Sequence, residues 1–539
     1  MSKYTAEQLK SLSTGELVIL VLSMQDQMDR LNENFESLVE QLRISNGQRF
    51  GRKTEKLSEI DGQMSLFNEI EAACDLDEPE PDPEELLPTA RRKKKAKGKR
   101  EEDLKDRPEE PHPHTVSKEK LDALFGEGNY RRLDDETYKR LRCKPMEWVV
   151  EVHTVEVYVG TGGEHQDEFL RADRPRDLLR NSIVTPSLEA AVLNAKYVNA
   201  LPLYRIEQEF ARYGVSISRQ TMSNWTVSCA ERYFAPFYER LRTELLKCRV
   251  NHCDETPVDV IHDGRDTRSK SYMWVHRTGE LSRGGPVVLY EWKPTRHHRH
   301  PVEFYRDYHG VVVTDGLQQY HLAEKEVEGF TNANCWTHAR RFFADAVKAM
   351  GKNDAAARRS TAFQALTRIA AIYKLEEGLK TLSSEERLKE RQKSIRPLVE
   401  EYFTWAKAMI SDTVVLPKGK TAQGLNYSIN QEKYLKVFLE DGEVPIDNSA
   451  AERAIRPFCI GKKNWVLINT VRGAEASAML YSIAETAKAN NLNTFTYFEY
   501  LLTRLPEAVD EKGNIDTSKL DPLLPWADEL PAQCHKPRR

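Results

Sequence analysis

The chain has 539 residues, of which 30% are charged and 40% hydrophobic, and its formal net charge is −4. This composition excludes collagen-like, mucin-like and wholly disordered proteins, and the length predicts about three to five domains. The near-neutral charge gives no indication of nucleic-acid binding. No apolar run approaches the ~20 residues of a membrane span, and the eight cysteines form no CxxC pair. We therefore expect a cytoplasmic protein without membrane contact.

The N-terminal segment, residues 1–60, carries a heptad pattern. From Leu17 to Leu42 apolar residues recur at alternating steps of four and three. Such a seam with polar flanks predicts a leucine-zipper-like coiled coil. The alternative is an amphipathic helix that packs on its own domain. A basic stretch follows at residues 49–56.

Residues 61–118 have the composition of a linker. Acidic residues and prolines fill 75–85, and basic residues fill 91–100. This composition cannot bury enough apolar surface to offset the entropy of ordering, so we expect disorder. The basic block either contacts DNA phosphates without sequence preference or is simply solvated beside the acidic block.

Residues 119–178 are predicted to form a small mixed α/β module. Its clearest strand spans Glu147–Val159 because apolar residues alternate from Val150 onward. This stretch contains one cysteine, Cys143, which is too few ligands for a structural zinc ion. We therefore expect no structural zinc.

Residues 179–246 are predicted to be helical. Helices are indicated at Leu188–Val198, Leu203–Tyr213 and Arg219–Cys229, with a glycine-containing turn between the last two. Helix, turn and helix in this order are typical of a DNA-binding helix-turn-helix, although many helical hairpins bind nothing. In the DNA-binding interpretation four side chains face a DNA groove: Arg219, Gln220, Ser223 and Asn224.

Residues 247–490 have the pattern of an α/β domain. Strands are predicted at 249–254, 271–276, 286–291 and 310–315, and residues 355–440 are predicted to form a helical insertion. Asp254 ends the first strand and Asp315 ends the last. Ends of neighbouring central strands can converge, so these carboxylates can share a metal pair. The alternative is that each aspartate only forms a turn.

A third carboxylate, Glu452, lies near the start of a predicted helix. Glu452 is a candidate metal ligand. The structural alternative is a capping box with Ser449 and an i,i+4 ion pair with Arg456. A cluster of basic residues after Glu452 is a candidate for phosphate contacts: Arg453, Arg456, Lys462 and Lys463.

Residues 180–505 resemble the insertion-sequence-66 family of bacterial DDE transposases. The resemblance is carried by these motifs: Pro202-Leu203-Tyr204-Arg205, His252-Cys253-Asp254-Glu255-Thr256-Pro257, Thr314-Asp315-Gly316, Cys335-Trp336-x-His338-Ala339-Arg340-Arg341, Ile446-Asp447-Asn448-x-Ala450-Ala451-Glu452-Arg453-Ala454-Ile455-Arg456-Pro457, Gly461-Lys462-Lys463-Asn464-Trp465 and Tyr481-Ser482-Ile483-x-Glu485-Thr486-Ala487-Lys488. The heptads with Phe50–Lys56 are similar to the family's leucine-zipper segment, and Leu523–Trp526 to its C-terminal tail.

The resemblance implies a multidomain α/β plus α fold: an RNase H-like catalytic domain with a helical insertion, preceded by a helix-turn-helix and an N-terminal coiled coil. It implies that Asp254, Asp315 and Glu452 bind two Mg²⁺ or Mn²⁺ ions. His338 is a candidate catalytic residue, and Arg341, one helical turn later, a candidate DNA contact. Residues 491–539 form a C-terminal helical segment and tail.

The activity implied is cleavage at the ends of an insertion sequence and transfer of the freed 3′-hydroxyl to target DNA. Expected partners are DNA, as terminal inverted repeats and target, further copies of the chain in a homodimer or higher oligomer, and helper proteins of the same element. Two alternatives are weighed: a non-catalytic DNA-binding dimeric regulator, and an RNase H-like nuclease or integrase outside transposition.

Overall fold

The structure is a computed structural model that describes residues 12–28, 31, 35, 147–159, 169–171, 177–266, 269–282, 284–350, 355–412, 419–509 and 516–536. The chain divides into two compact units, Met1–Lys53 with Arg176–Lys536, and Thr54–Pro175 with Pro537–Arg539. The predicted linker at 61–118 and Cys143 lie outside the described residues. None of the helices described has the length and apolar character needed to cross a membrane.

The heptad segment begins with a helix over residues 14–28. Ser13 and Glu16 form a capping box, in which the Glu16 amide donates to Ser13 Oγ at 3.3 Å and the Ser13 amide donates to Glu16 Oε2 at 2.8 Å. The seam residues Val21 and Met24 are 59% and 60% exposed. The predicted helix is therefore present up to residue 28. Most of the remaining seam lies outside the described residues.

In the second unit, strand β1 (Val157–Val159) pairs antiparallel with β2 (Phe169–Arg171). The predicted strand over Glu147–Val159 is wrong for residues 147–156, which form no regular structure. Val149 and Val150 are 78% and 85% exposed. An alternating pattern forms a strand only when a partner strand accepts its hydrogen bonds, and no described segment pairs with these residues.

Helices precede the main sheet of the larger unit. They are α1 (Pro186–Leu193), α2 (Leu203–Arg212), α3 (Arg219–Cys229) and α4 (Ala235–Lys247), with single π-helical segments at Asn194–Val198 and Ala230–Phe234. The side chains of Thr185 and Ser218 cap α1 and α3. Gly214 takes a φ of +75° in the turn between α2 and α3, a conformation that glycine adopts without steric cost.

A five-stranded mixed sheet lies at the centre of the larger unit. Its strands are β3 (Val250–Val258), β5 (Ser271–Thr278), β6 (Val288–Lys293), β7 (Gly310–Thr314) and β8 (Phe330–Asn334). The spatial order is β6-β5-β3-β7-β8. Strands β3, β5 and β6 pair antiparallel, whereas β7 is parallel to both β3 and β8. Separately, β4 (Val260–His262) pairs parallel with β9 (Ile468–Thr470).

The remaining helices cover the sheet and form the insertion. They are α5 (Arg299–Phe304), α6 (Gln318–Glu326), α7 (Trp336–Met350), α8 (Ala355–Arg359), α9 (Thr361–Glu377), α10 (Ser384–Glu390), α11 (Arg396–Asp412), α12 (Lys420–Asn430), α13 (Glu432–Leu435), α14 (Ser449–Trp465), α15 (Val471–Ala489) and α16 (Thr494–Ala508). A π-helical segment, Arg391–Ile395, joins α10 to α11. The helices α8–α13 lie between α7 and α14 in the sequence.

Helix α15 covers the edge of the sheet at β6. The Val288 amide donates to Thr486 Oγ1 at 3.0 Å, and the Tyr290 amide donates to Ser482 Oγ at 2.7 Å. These hydroxyls satisfy backbone donors that an edge strand would otherwise present to another chain. The same helix therefore fixes β6 and closes one side of the domain.

Candidate active site

Two aspartates lie side by side on the parallel neighbours β3 and β7, Asp254 within β3 and Asp315 directly after the end of β7. These strands are parallel neighbours with His252 opposite Val313, so two residues further on Asp254 stands opposite Asp315. Carboxylate oxygens of Asp254, Glu255 and Asp315 lie within 4.8 Å of one another. Among the described residues, this is the group of His, Cys, Asp and Glu side chains arranged to hold a metal ion.

Asp254 lies partly buried among other acids. Burial raises the pKa of its carboxyl well above the usual value, and the nearby charges of Glu255, Asp315 and Glu452 raise it further. The Glu255 amide donates to Asp254 Oδ1 at 2.9 Å, and this hydrogen bond lowers the pKa of Asp254. A cluster of this kind favours the binding of a cation, which neutralises the mutual repulsion.

The loop after β7 fixes Asp315. The Leu317 amide donates to Asp315 Oδ1 at 2.9 Å, and the Tyr427 hydroxyl donates to the Asp315 carbonyl at 2.9 Å. Gly316 has a φ of +84°, and a Cβ there would overlap Tyr427 and Asn334. The chain therefore requires glycine directly after the aspartate. Tyr427, on α12 of the helical insertion, holds this loop in place.

Glu255 is buried and fully engaged. Arg296 donates through Nε to Glu255 Oε1 at 2.7 Å and through a second nitrogen to the same oxygen, while the Tyr320 hydroxyl donates to Oε2. Arg296 also reaches Asp315 Oδ2 at 3.9 Å. Burial, followed by Asp315, raises the pKa of Glu255, and Arg296 opposes that shift. Glu255 thus holds a guanidinium beside the two aspartates.

Asn448 attaches α14 to the central strand. Asn448 Nδ2 donates to the Cys253 carbonyl at 2.8 Å, and its Oδ1 lies 2.8 Å from His252 Nδ1. The Asn448 amide also lies 3.1 Å from Cys335 Sγ. All four residues are buried. The first turn of α14, which contains Glu452, is therefore held against β3 near Asp254.

Glu452 lies beside His338 rather than in a cap. Its Oε1 is 3.9 Å from His338 Nε2, and this buried oxygen makes no hydrogen bond. The alternative of a capping box with Ser449 is wrong, because the cap residue is Asn448 and no side chain caps the helix. Glu452 and Arg456 form no ion pair, and Arg456 Nε is buried without a partner. Burial lowers the pKa of His338.

The predicted basic contacts differ in their surroundings. Arg341, one turn after His338 on α7, and Lys463, near the end of α14, are exposed. Arg453 pairs with Glu280, and Lys462 donates to the Pro257 carbonyl at 2.6 Å. A phosphate bound by Arg453 or Lys462 would replace these contacts.

The four predicted contacts on α3 lie apart from the acidic cluster. Arg219, Gln220, Ser223 and Asn224 line a cleft whose other wall is the end of α14, β9 and the start of α15. We call this space the α3 cleft. Trp465 lies in its far wall, half-buried and edge-to-face with Phe458 at 5.5 Å between ring centroids. The predicted residues thus form two groups, one at each end of α14.

Sequence reasoning assigned no role to several residues around the site: Glu255, Arg296, Tyr320 and Asn448. Two of them carried a signal, since Glu255 directly follows Asp254 and Asn448 lies in the motif that leads to Glu452. Arg296 is 41 residues from Glu255, and no local pattern connects them.

The fold and the site define a mixed α/β protein with an acidic cluster suited to divalent cations. Family profiles match residues 181–476 as "Transposase IS66 family", residues 482–526 as "IS66 C-terminal element" and residues 37–110 as "Transposase C of IS166 homeodomain". The first match covers more than half of the chain. The protein therefore belongs to the IS66 family of transposases.

Two relatives come from Sinorhizobium fredii, and both are named as uncharacterized proteins. The chain is 26% identical to y4jD over 369 residues, which cover 67% of this chain and 69% of y4jD. It is also 26% identical to y4qI over 419 residues, which cover 75% of this chain and 72% of y4qI.

Proposed function

We propose that the protein is a DDE-type DNA transposase that cuts the ends of its element and joins them to target DNA. The observation that carries the proposal is the proximity of Asp254, within β3, to Asp315, directly after the parallel neighbour β7, in a chain of the IS66 transposase family. The sheet order β6-β5-β3-β7-β8, with three antiparallel and two further parallel strands, supports an RNase H-like catalytic domain.

The donor set fits a hard divalent cation. Asp254 and Asp315 provide oxygens within 4.8 Å of each other, and carboxylate oxygens are the ligands that Mg²⁺ and Mn²⁺ prefer. When bound, two such ions activate the attacking oxygen and stabilise the leaving oxygen of a phosphodiester. In our proposal these two aspartates, together with Glu452, hold the ions.

Glu452 is a better third ligand than Glu255. Both oxygens of Glu255 already accept hydrogen bonds from Arg296 and Tyr320, whereas Glu452 Oε1 is buried without a partner. A buried acceptor without a donor is costly unless a cation completes it. Glu255 is then a positioning residue that keeps Arg296 beside Asp315.

The remaining side chains orient DNA in this proposal. His338 lies 3.9 Å from Glu452, close enough to contact the reacting phosphate group. Arg341 on α7 and Lys463 near the end of α14 are exposed and supply phosphate contacts, which fix the register of the duplex. Arg453, Arg456 and Lys462 extend this basic face along α14. DNA ends, target DNA and further copies of the chain are the partners.

Strand cleavage and strand transfer on end-containing DNA with Mg²⁺ test the proposal. We expect Asp254→Asn, Asp315→Asn and Glu452→Gln each to lower the rate at least about a hundredfold, because each removes a ligand to ions that contribute several kcal/mol. Asp345→Asn, an exposed acid on α7, serves as the matched control and keeps the rate. Full activity of the Asp254→Asn or Asp315→Asn protein would refute the proposal, and cleavage without joining would indicate a nuclease instead.

A further inference from the structure

The α3 cleft has a volume of about 800 Å³, within the range of sites that enclose a small ligand. That volume is enough for about one or two nucleotides. Of the α3 residues that line the cleft, Arg219, Gln220 and Asn224 are exposed and Ser223 is half-buried. The cleft is therefore open to solvent along α3 and large enough to receive a nucleotide.

One wall of the cleft offers an aromatic surface. Trp465 is half-buried, and its ring is held edge-to-face by Phe458 at 5.5 Å. A Cβ on Gly461 would overlap the Tyr481 hydroxyl and approach Trp465 Nε1, so glycine is needed for this packing. Tyr481 lines the cleft and is 1% exposed, and its hydroxyl lies beside the Trp465 indole. An aromatic face fixed in this way suits a nucleobase.

The cleft also carries positive charge. Lys196 and Arg219 line it, and neither has an ion-pair partner among the residues that the structure describes. Arg472 pairs with Glu231 through two contacts of 2.6 Å. The first turn of α15 faces the same space, with its Gly473 amide held by Thr470 Oγ1 at 3.1 Å. Cations and a helix N-terminus together favour a phosphate.

The mouth of the cleft contains a strained turn. Val466 has φ +66° and ψ −52°, and the Leu467 amide donates to the Trp465 carbonyl at 2.8 Å. These are the features of a classic γ-turn, which is rare and strained, and a β-branched residue increases the cost. Val466 and Leu467 are 61% and 44% exposed. The turn therefore presents two apolar side chains to solvent beside a polar cleft, as DNA-unstacking wedges do.

Helix α14 connects this cleft to the acidic cluster. Glu452 and Trp465 are 13 residues apart on the same helix, which is about 20 Å at 1.5 Å per residue. A stacked DNA strand covers about 20 Å in roughly six nucleotides at 3.4 Å each. A strand bound at the acidic cluster can therefore reach the cleft.

We infer that the α3 cleft receives an unpaired nucleotide of the DNA strand that is cut, with Val466 and Leu467 opening the adjacent duplex and Trp465 stacking on the displaced base. The inference rests on the proposed function, since it assumes that DNA is the substrate. The inferred substrate is a DNA duplex that is opened within about six nucleotides of the scissile phosphate. Arg219 and Lys196 contact the phosphates of the opened strand.

The test uses fluorescence anisotropy of the full chain in EDTA with two probes, an eight-nucleotide oligothymidylate and a labelled hairpin duplex. We expect Trp465→Ala and Ser223→Trp, which act on opposite walls, each to weaken binding of the oligothymidylate about tenfold or more, the loss expected for one stacked base. Trp465→Phe restores most of the binding. Thr243→Trp, on the exposed face of α4, is the matched control and changes neither probe. Binding of the duplex changes less than threefold in all variants.

The outcomes separate this inference from the proposed function. If the duplex binds but the oligothymidylate does not, or if Trp465→Ala and Ser223→Trp leave oligothymidylate binding unchanged, the inference is wrong and the transposase proposal stands. Equal losses for both probes would make the cleft part of a duplex site and would also overturn it. If neither probe binds, both proposals fail. Thermal unfolding of each variant shows whether it has folded. If one of the two variants on opposite walls fails to fold, the other still tests the inference.

Discussion

Glu189 on α1 is a carboxyl group buried beneath α3. Thr226 Oγ1 donates to Glu189 Oε1 at 3.0 Å, while Oε2 has no partner. Burial raises the pKa of Glu189 from 4.5 to about 8. The folded protein therefore holds this proton at neutral pH, whereas the unfolded chain releases it above about pH 4.5. Because the native state binds more protons in this window, the free energy of unfolding falls as pH rises from 4.5 to 8.

We predict that Glu189→Gln removes this dependence. Titration of Glu189 changes the free energy of unfolding by at most about 1.4 kcal/mol per pH unit between pH 4.5 and 8. Unfolding midpoints measured at pH 5, 7 and 8.5 should fall with pH in the unmodified chain and fall less in the variant. The exposed Glu239→Gln on α4 is the control and should follow the unmodified chain. Parallel curves for Glu189→Gln and the unmodified chain would contradict the assignment.

For single residues, the sequence identifies those whose role follows from their position in a local element. It does not identify those whose role depends on contacts between distant parts of the chain. Asp254 and Asp315 could be proposed because Asp254 lies within a recognisable strand and Asp315 directly follows another. The pairing of Glu255 with Arg296 joins residues 41 positions apart, and the unpartnered Oε1 of Glu452 depends on the packing of α14 against β3. Only tertiary structure determines which carboxylates are already satisfied.

Within the helical insertion, one buried arginine links three segments. Arg391 is fully buried and donates through Nε to Glu376 Oε2 at 3.0 Å. Its Nη1 donates to the carbonyls of Phe438, Asp441 and Val444 at 2.7–2.9 Å. These acceptors precede α14, so the guanidinium ties the insertion to the segment that leads to Glu452.

We predict that Arg391→Ala lowers the free energy of unfolding by about 3–5 kcal/mol, the loss typical of breaking a buried ion pair from one side. Arg396→Ala provides the matched control on the same part of the chain. Arg396 and its partner Glu440 have side chains 33% and 66% exposed, so its loss should cost less than about 1 kcal/mol. Urea unfolding followed by circular dichroism measures both. Similar losses for the two variants would show that burial of Arg391 adds nothing.

Element boundaries show where local signals suffice. Helix α3 covers the predicted residues Arg219–Cys229, and the side chain of Ser218 caps it. Strand β7 begins at Gly310 as predicted but ends at Thr314, one residue before the predicted end at Asp315. Strand β3 was predicted to end at Asp254 but continues to Val258. Its pairing with β7 stops at His252, while its pairing with β5 continues. Pro257 is therefore tolerated, since it lies where β3 has a neighbour on one side. Residues 147–156 have an alternating apolar pattern but form no strand, because no described segment pairs with them.

For the whole molecule, the exposed heptad helix predicts self-association. Val21, Met24 and Met28 are 59–67% exposed on the described helix, a stripe that a second copy would bury. We predict that Val21→Asp with Met28→Asp reduces the oligomer to a monomer in sedimentation at micromolar concentration. Gln25→Asp, off the seam, is the control and keeps the oligomer. An unchanged mass for the double variant would exclude this helix as the interface.

The charge of the whole chain illustrates the limit of composition. A net charge of −4 gives no sign of DNA binding, yet acids gather at the strand ends while exposed cations lie on α7 and α14. The family assignment rests on the order of motifs, which composition does not record. The positions of the charged residues therefore indicate the function better than the net charge does.

We propose that Asp254, Asp315 and Glu452 together hold divalent cations. Anomalous diffraction from crystals soaked in Mn²⁺ tests this assignment directly. We predict peaks between Asp254 in β3 and Asp315 after β7, with oxygens of both aspartates at about 2.0–2.3 Å and Glu452 as a further ligand. No peak there at millimolar Mn²⁺, or a site bound by Glu255 without Glu452, would contradict the assignment.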